Sequence, residues 1–347
     1  RQFGWSGERA PGFLSRMTND VLRFRPTIAT TCYGMNDHRY QPFTAEIGDV
    51  YSQSSRAIIQ AFKSHGVRVV QGSAGTVGKM PSWVKTAEGN VQDLNLGLLE
   101  LRNIDVQLAR EENVTFADVF LPMLIQGHAA QQKYGASYMI TGKDGVHPDW
   151  AGQLVMAYSF LNAFGLEGNL GQITIDLENK SASTMGGHEV QGYNDGRLTL
   201  SSRQYPFCAT GALGDDSSMR SGMEWVPFME ELNRLTLKIK NPSAARYRVY
   251  WGAFEKVYSS EALSQGVNLA ADFLENPFSE AFKKVDQAVA AKQAYETRQI
   301  KQIFHGPEGR ADKEMAAALT EKTREPLVSA IRDAFQPVVH SIRIVSE

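Results

Sequence analysis

The segment Thr27-Ile28-Ala29-Thr30-Thr31-Cys32-Tyr33-Gly34-Met35-Asn36-Asp37 indicates how the first half of the chain folds. Its run of apolar and β-branched residues predicts a buried strand. Gly34 predicts a turn where the strand ends, and the polar residues Asn36 and Asp37 follow that turn. Open α/β sheets bind their ligands beyond the carboxyl ends of the strands. The segment is therefore predicted to place polar side chains at a sheet edge where a site can form.

Helical and strand patterns alternate around this segment, up to residue 165. Helical spacing of apolar residues predicts three helices, over Ile47–Ser64, Val91–Glu112 and Asp149–Phe164. Short apolar runs predict two further strands, over Val67–Gln71 and Val114–Phe120. Strands that alternate with helices imply βαβ units and a parallel sheet covered on both faces. Residues 1–165 are therefore predicted to form a three-layer α/β/α domain.

The pattern changes after residue 165, where short alternating segments replace the long helical ones. Alternation of apolar and polar residues predicts half-buried strands over Gln172–Leu177 and Arg197–Ser201. Asn194-Asp195-Gly196 is typical of a hairpin turn. Leu235–Lys240 and Arg246–Trp251 are predicted to pair with each other. Residues 166–252 are accordingly predicted to be an antiparallel β-rich insertion or subdomain.

The remainder of the chain, residues 253–347, is predicted to be a helical C-terminal region. Helical periodicity extends over Ser260–Phe273, Phe278–Phe304 and Asp312–Phe335. His305-Gly306-Pro307 separates the last two, because glycine permits a left-handed cap and proline cannot continue a helix. The predicted boundaries thus divide the chain into residues 1–165, 166–252 and 253–347.

The composition is that of a globular protein, with 42% hydrophobic residues in 347. The formal net charge of −2 argues against a nucleic-acid partner, since such a protein needs a basic face to offset phosphate charge. No apolar run is long enough for a transmembrane segment. Two cysteines, Cys32 and Cys208, do not make a disulfide framework. Cys32 lies in an apolar run and is predicted to be a buried free thiol.

Asp144-Gly145-Val146-His147-Pro148 carries the strongest chemical signal in the chain. An aspartate three residues before a histidine can accept from one imidazole nitrogen, which leaves the other free as a general base. Gly145 permits a sharp turn, and Pro148 suits the start of the helix that follows. In isolation, the same residues are also typical of a helix N-terminus with a surface histidine.

Two further positions could bind a developing negative charge. Asn36, beyond the strand and Gly34, can donate a hydrogen bond from its amide to an acyl oxygen. Gly7, in Trp5-Ser6-Gly7-Glu8, can donate from its backbone N–H. Each also has a purely structural interpretation, an Asx turn for Asn36 and an ordinary turn for Gly7.

The order and residue types of these segments resemble those of the SGNH, or GDSL-type, hydrolases, a family of esterases and lipases. Trp5-Ser6-Gly7-Glu8 resembles the family's second block, Tyr33-Gly34-Met35-Asn36-Asp37 its third, and Asp144-Gly145-Val146-His147-Pro148 its fifth. The resemblance covers residues 1–165. It implies a flavodoxin-like α/β/α domain that hydrolyses carboxylic esters.

The resemblance also implies a role for each candidate residue. His147 is expected to be the general base and Asp144 the acid that orients it, while the Gly7 N–H and the Asn36 side chain form the oxyanion hole. No cofactor is expected. The expected substrate is a small-molecule or carbohydrate ester, with a carbohydrate deacetylase or a lipase-like esterase as examples. Family resemblance favours a secreted or periplasmic location.

One element of the family pattern is absent from the sequence. The family's first block, Gly-Asp-Ser with the nucleophilic serine, precedes the second block by a few tens of residues, whereas six residues precede Gly7. Ser6 occupies the position beside the oxyanion glycine and is not expected to be the nucleophile. The expectation is that a segment upstream of Arg1 supplies the serine on a strand beside the one that ends near Tyr33.

Two alternative functions follow from the same sequence. A protein that kept the scaffold without the serine would be a non-catalytic binding protein. Alternatively, the β-rich region 166–252 binds a glycan or a protein partner. The tryptophans Trp83, Trp150, Trp225 and Trp251 could stack on sugar rings, although tryptophans more commonly lie in the core or at its rim.

Other residues give weaker signals. His38 is expected to be an exposed loop histidine, and Ser73 follows a strand without a base motif beside it. No His/Cys cluster has metal-ligand spacing, and neither a P-loop nor a dinucleotide fingerprint is present.

Overall fold

The computed structural model describes residues 1–85 and 88–347, which form two compact units. The α/β unit comprises Phe3–Leu166 and Thr210–Val226. The β-sandwich unit comprises Arg1–Gln2, Glu167–Ala209 and Pro227–Glu347. The end of the predicted first domain at residue 165 thus lies within two residues of a unit boundary.

A three-stranded parallel sheet in the order β1-β2-β3 lies at the centre of the α/β unit. Its strands are β1 (Ile28–Thr31), β2 (Arg68–Gly72) and β3 (Thr115–Ala117). Its helices are α1 (Ala10–Asp20), α2 (Ala45–Ser64), α3 (Val91–Glu111), α4 (Phe120–Tyr134), α5 (Trp150–Ala163) and α6 (Met219–Gly222). A 3₁₀ turn, Leu22–Phe24, follows α1.

Alternating side chains of β2 show that helices cover both faces of this sheet. Val69 belongs to the apolar cluster that includes Ile58 of α2 and Leu101 of α3. Val70 points to the opposite face, because successive strand residues alternate, and it is fully buried. Gly72 shares the face of Val70, where a Cβ would lie 2.4 Å from Cζ of Phe160 on α5. The predicted α/β fold with a parallel sheet is confirmed.

The predicted strand Val114–Phe120 is shorter than expected. Strand β3 ends at Ala117, and Phe120 is already the first residue of α4. The Oγ of Ser73 accepts hydrogen bonds from the N–H groups of Val119 and Phe120, both at 3.0 Å. Those two N–H groups would otherwise lack acceptors at the start of the helix, so Ser73 stabilises the early change from strand to helix.

Two sheets with a shared apolar core form the β-sandwich unit. The strands of the five-stranded sheet, in the order β10-β9-β12-β7-β6, are β6 (His188–Asn194), β7 (Arg197–Ser202), β9 (Arg246–Trp251), β10 (Phe254–Ser259) and β12 (Val338–Ser346). Those of the four-stranded sheet, in the order β11-β8-β4-β5, are β4 (Asn169–Asp176), β5 (Ser181–Met185), β8 (Arg234–Lys240) and β11 (Val267–Asn268).

Helices also belong to this unit, most of them in its C-terminal part. They are α7 (Phe228–Glu231), α8 (Ser260–Gln265), α9 (Leu269–Asp272), α10 (Ser279–Arg298), α11 (Pro307–Ala311) and α12 (Lys313–Ala334). A π-helical turn, Gln299–Phe304, continues α10. None of the helices in the described parts of the chain has the length and hydropathy of a membrane span.

The predicted hairpin at Asn194-Asp195-Gly196 is confirmed. Asn194 pairs with Arg197 across β6 and β7. The two residues between them, Asp195 and Gly196, have φ angles of 48° and 72°. Positive φ at both central positions is the geometry of the two-residue hairpin turn that Asp-Gly favours.

Two predictions about strand pairing are wrong. Leu235–Lys240 and Arg246–Trp251 form strands β8 and β9, but these belong to different sheets. The β-rich region is also not purely antiparallel, because β8 pairs in parallel with β4. Alternation along a strand shows which side chains face the core, but it does not identify the strand beside it.

The region after residue 252 is not entirely helical, contrary to prediction. The last strand, β12, lies between β7 and β9 and pairs antiparallel with both. Its inward residues Ile342 and Ile344 join the core of the sandwich. The predicted boundary between 166–252 and 253–347 therefore does not separate compact units, because β12 completes a sheet built mainly from earlier strands.

Candidate active site

Asp144 and His147 are in contact, as the sequence predicts. The Oδ2 atom of Asp144 lies 2.7 Å from Nδ1 of His147, and its Oδ1 accepts from the N–H groups of Val146 and His147 at 3.0 and 2.9 Å. Partial burial raises the pKa of the Asp144 carboxyl, but these hydrogen bonds outweigh it and hold the pKa below its usual value. The aspartate is therefore ionised near neutral pH and fixes the imidazole, with Nε2 left as the nitrogen that can accept a proton.

Glycines make the tight loop before His147 possible. Gly142 and Gly145 have φ angles of 82° and 92°, which L side chains rarely adopt. A Cβ on Gly142 would lie 1.8 Å from the carbonyl oxygen of His147. The N–H of Gly78 donates to the carbonyl of Gly145 at 2.8 Å, which ties this loop to the segment after β2.

Gly142→Ala should therefore destabilise the loop for two reasons, the positive φ of this position and the clash of the added Cβ with the His147 carbonyl. Gly135→Ala is the matched control, since Gly135 has a φ of 92° but no atom near its Cβ position. Gly142→Ala is expected to lower the free energy of unfolding by about 1–3 kcal/mol more than Gly135→Ala does, because the backbone must move. Urea unfolding of both variants measures this difference. Equal losses would show that the loop has room for the added methyl group.

The two candidate oxyanion residues also lie together. Trp5–Glu8 is a turn closed by a 3.1 Å hydrogen bond from the Glu8 N–H to the Trp5 carbonyl, and Gly7 has a φ of 72° within it. Nδ2 of Asn36 donates to the Glu8 carbonyl at 3.2 Å. An amide nitrogen carries two hydrogens, so Asn36 retains a second donor for a substrate oxygen.

Carboxylates fix the relative position of these two segments. Asp37 accepts from the N–H of Ala10 at 2.9 Å through one oxygen and from the N–H of Gly34 at 3.0 Å through the other. Glu8 accepts from Nε and Nη2 of Arg16, both at 2.6 Å, and from the Tyr33 hydroxyl at 2.8 Å. Such bidentate pairing restrains geometry, so the turn at Gly7 is held against the segment that bears Asn36.

The loops that bear Asn36 and His147 also meet in one apolar cluster. Val146 packs with Ala74, and Met35 and Tyr40 lie against the same cluster. These positions follow the carboxyl ends of β1 and β2 or belong to the Asp144–His147 loop. The structure thus brings all four predicted site residues to one region of the α/β unit.

One sequence-based expectation near the site is wrong, and another holds in part. His38 is not an exposed loop residue, because it is only 1% exposed. Burial lowers its pKa to about 4, so it is neutral near pH 7. Cys32 follows the edge strand β1 and is exposed as a residue, but its thiol donates to the Ser73 carbonyl at 3.1 Å, and burial raises the pKa of the thiol to about 12.

A second serine–histidine arrangement lies in the β-sandwich unit. Ser202 Oγ is 2.7 Å from Nδ1 of His188 and 2.9 Å from Nε2 of His340, whose Nδ1 accepts from the Trp251 indole at 3.1 Å. The other ring nitrogen of His188, Nε2, lies 2.8 Å from the carbonyl oxygen of Leu170, which extends this hydrogen-bond network. Ser202 is fully buried, and burial lowers the pKa of His340 to about 4. This network is a satisfied core element that a substrate cannot reach.

A parallel α/β unit with an Asp–His pair and two candidate oxyanion donors in one region is the arrangement expected of an acyl hydrolase. Residues 1–155 match the GDSL-like lipase/acylhydrolase family. This match supports an ester-hydrolysing enzyme. Within the described residues, no group of three or more His, Cys, Asp or Glu side chains could hold a metal ion.

Several solved structures are similar to this chain or to part of it. A gut microbial diltiazem-metabolizing enzyme, BT4096, is 20% identical with a TM-score of 0.73, over 98% of this chain and 88% of its own. A GDSL-like lipase from Parabacteroides merdae is 23% identical over 46% of this chain and 70% of its own (TM-score 0.38). The acetylxylan esterase Axe2 from Geobacillus stearothermophilus is 24% identical over 47% and 70% (TM-score 0.37). No curated protein matches the chain.

Proposed function

We propose that the protein hydrolyses carboxylic esters by a serine–histidine–aspartate mechanism in which Asp144, His147, Asn36 and Gly7 contribute every group but the nucleophile. The observation that carries the proposal is the 2.7 Å contact between Asp144 Oδ2 and His147 Nδ1. It orients the imidazole and leaves Nε2 as the general base. The GDSL-like family assignment of residues 1–155 supports the same reaction class.

The reaction follows from this geometry. A serine hydroxyl attacks the ester carbonyl while Nε2 of His147 takes its proton, and Asp144 stabilises the imidazolium that forms. The oxyanion receives hydrogen bonds from the Gly7 N–H and the Asn36 amide. His147 then returns the proton to the leaving alcohol. Water hydrolyses the acyl-serine by the same steps, with His147 again as base.

The nucleophile in this proposal is a serine on a strand beside β1, supplied by a segment upstream of Arg1. The unpaired edge of β1 supports that position, since no strand of the described residues pairs there. Ile28 on β1 is 48% exposed, which is unusual for an apolar residue of a parallel strand. Ser73 does not fit the role, because it is fully buried and its Oγ already accepts two backbone hydrogen bonds.

Small-molecule and carbohydrate esters are the proposed substrates. The family assignment gives the ester bond, and the exposure of His147 fits substrates that approach from solvent, since its side chain is 74% exposed. An open base of this kind can reach an acetyl group on a large alcohol as well as a free small ester.

Covalent labelling tests the proposal. A fluorophosphonate reacts with a serine that a histidine activates, so it should label the full-length protein once, and peptide mapping should place the label outside residues 1–347. Label on Ser6 or Ser73 would instead assign the nucleophile to that residue. A protein that neither reacts with the probe nor hydrolyses p-nitrophenyl acetate would contradict the proposed mechanism. The His147→Ala variant is the control, because it should no longer react.

A further inference from the structure

An aromatic side chain lies directly beside the proposed base. The ring centroid of Trp83 is 5.6 Å from that of His147, with an angle of 44° between the two planes. Trp83 is 44% exposed, although large aromatic side chains usually bury most of their surface. The indole therefore contacts the imidazole and still offers open surface next to it.

Trp83 is the last of three aromatic rings that pack in a row with Tyr40 and His38. The ring centroid of Tyr40 is 6.3 Å from that of Trp83 in an edge-on contact at 88°. His38, 1% exposed, lies 4.7 Å from the Tyr40 ring. Tyr40 also packs against the apolar cluster that includes Val146. The row His38–Tyr40–Trp83 thus runs from the buried interior to the exposed indole, which restrains the position of Trp83.

The chemistry of the site indicates which part of a bound substrate lies beside the Trp83 ring. His147 Nδ1 is held by Asp144, so proton transfer uses Nε2, and the leaving oxygen must come within about 3 Å of that atom. The acyl oxygen, by contrast, is bound at Gly7 and Asn36. The first carbons of the alcohol therefore lie beside the imidazole and within reach of the indole face.

We infer that Trp83 is a specificity-determining residue that stacks on the alcohol portion of the substrate, and that the preferred substrates are esters of ring-bearing alcohols. This inference rests on the proposed ester hydrolysis. Aryl and pyranose alcohols both present a flat apolar face to the indole, the aryl ring through its π-surface and the pyranose through its axial C–H groups. An acyclic alkyl alcohol has no such face and gains little from the indole.

Trp83→Ala should raise KM for phenyl acetate and for an acetylated methyl glucoside by about tenfold, with kcat within about twofold. Methyl acetate, which has no ring, should be hydrolysed by the variant within about twofold of the parent. Trp83→Phe keeps a stacking surface and should recover most of the loss. Trp150→Ala is the control for removing an exposed tryptophan, since Trp150 is 57% exposed and has no ring contact with His147 among the described residues.

The possible results distinguish a failure of the stacking role of Trp83 from a failure of the proposed ester hydrolysis. An equal loss for all three esters, or no loss for any, would overturn the role of Trp83 while leaving ester hydrolysis intact. A loss confined to one ring ester supports stacking and identifies the aryl or the pyranose ring as the occupant. If the parent hydrolyses no ester, the proposed function fails. Calorimetric binding of phenol and methyl glucoside to parent and Trp83→Ala then still decides whether Trp83 binds rings.

Discussion

His147→Ala should lower kcat for p-nitrophenyl acetate by about 10⁴-fold or more in the full-length protein. In the proposed mechanism the variant retains the oxyanion donors and the substrate site, but no group removes the proton from the nucleophile. Asp144→Asn should lower kcat by about 10⁴-fold as well, because an amide no longer selects the tautomer in which Nε2 is the base. Steady-state kinetics with active-site titration measures both effects.

Because the two residues act through one contact, their effects should not add. The variant Asp144→Ala/His147→Ala is expected to be no slower than His147→Ala alone. His65→Ala is the matched control, since His65 is an exposed histidine of the same unit and should keep full activity. Losses that multiply in the double variant would mean that Asp144 and His147 act independently, which the 2.7 Å contact does not allow.

Asn36→Ala should lower kcat by about 10²–10³-fold and change KM little. In the proposed mechanism the Asn36 amide faces a charge that exists only in the transition state, so its loss raises the barrier without weakening ground-state binding. Asn36→Asp should be at least as harmful, because it replaces a donor with a negative charge at the same place. The pair of variants therefore distinguishes hydrogen-bond donation from side-chain volume.

A structural role must be measured separately, since Asn36 also donates to the Glu8 carbonyl at 3.2 Å. Thermal unfolding of each variant reports the loss of that bond. Asn103→Ala is the control on an exposed asparagine of α3, and its kcat should equal that of the parent. An Asn36→Ala variant with unchanged kcat would remove Asn36 from the oxyanion hole, whatever its stability.

Much of the local structure was predictable because it depends on residues close in the chain. Alternating periodicities predicted the parallel α/β unit, and Asp195-Gly196 predicted the hairpin between β6 and β7. The contact between Asp144 and His147 was predictable for the same reason, as three residues and a glycine suffice to form it. The pairing of Gly7 with Asn36 was implied instead by the family resemblance, and the 3.2 Å hydrogen bond from Asn36 to the Glu8 carbonyl shows that their two segments are in contact.

What the sequence by itself determined was therefore the type of the main elements of the α/β unit and the contact between Asp144 and His147. The tertiary structure decided which distant segments meet. It placed β12 between β7 and β9, buried His38 and brought Trp83 against His147. Each of these outcomes depends on packing between residues far apart in sequence. A periodic pattern shows which side of an element faces inward, but it contains no information on the element that covers that side.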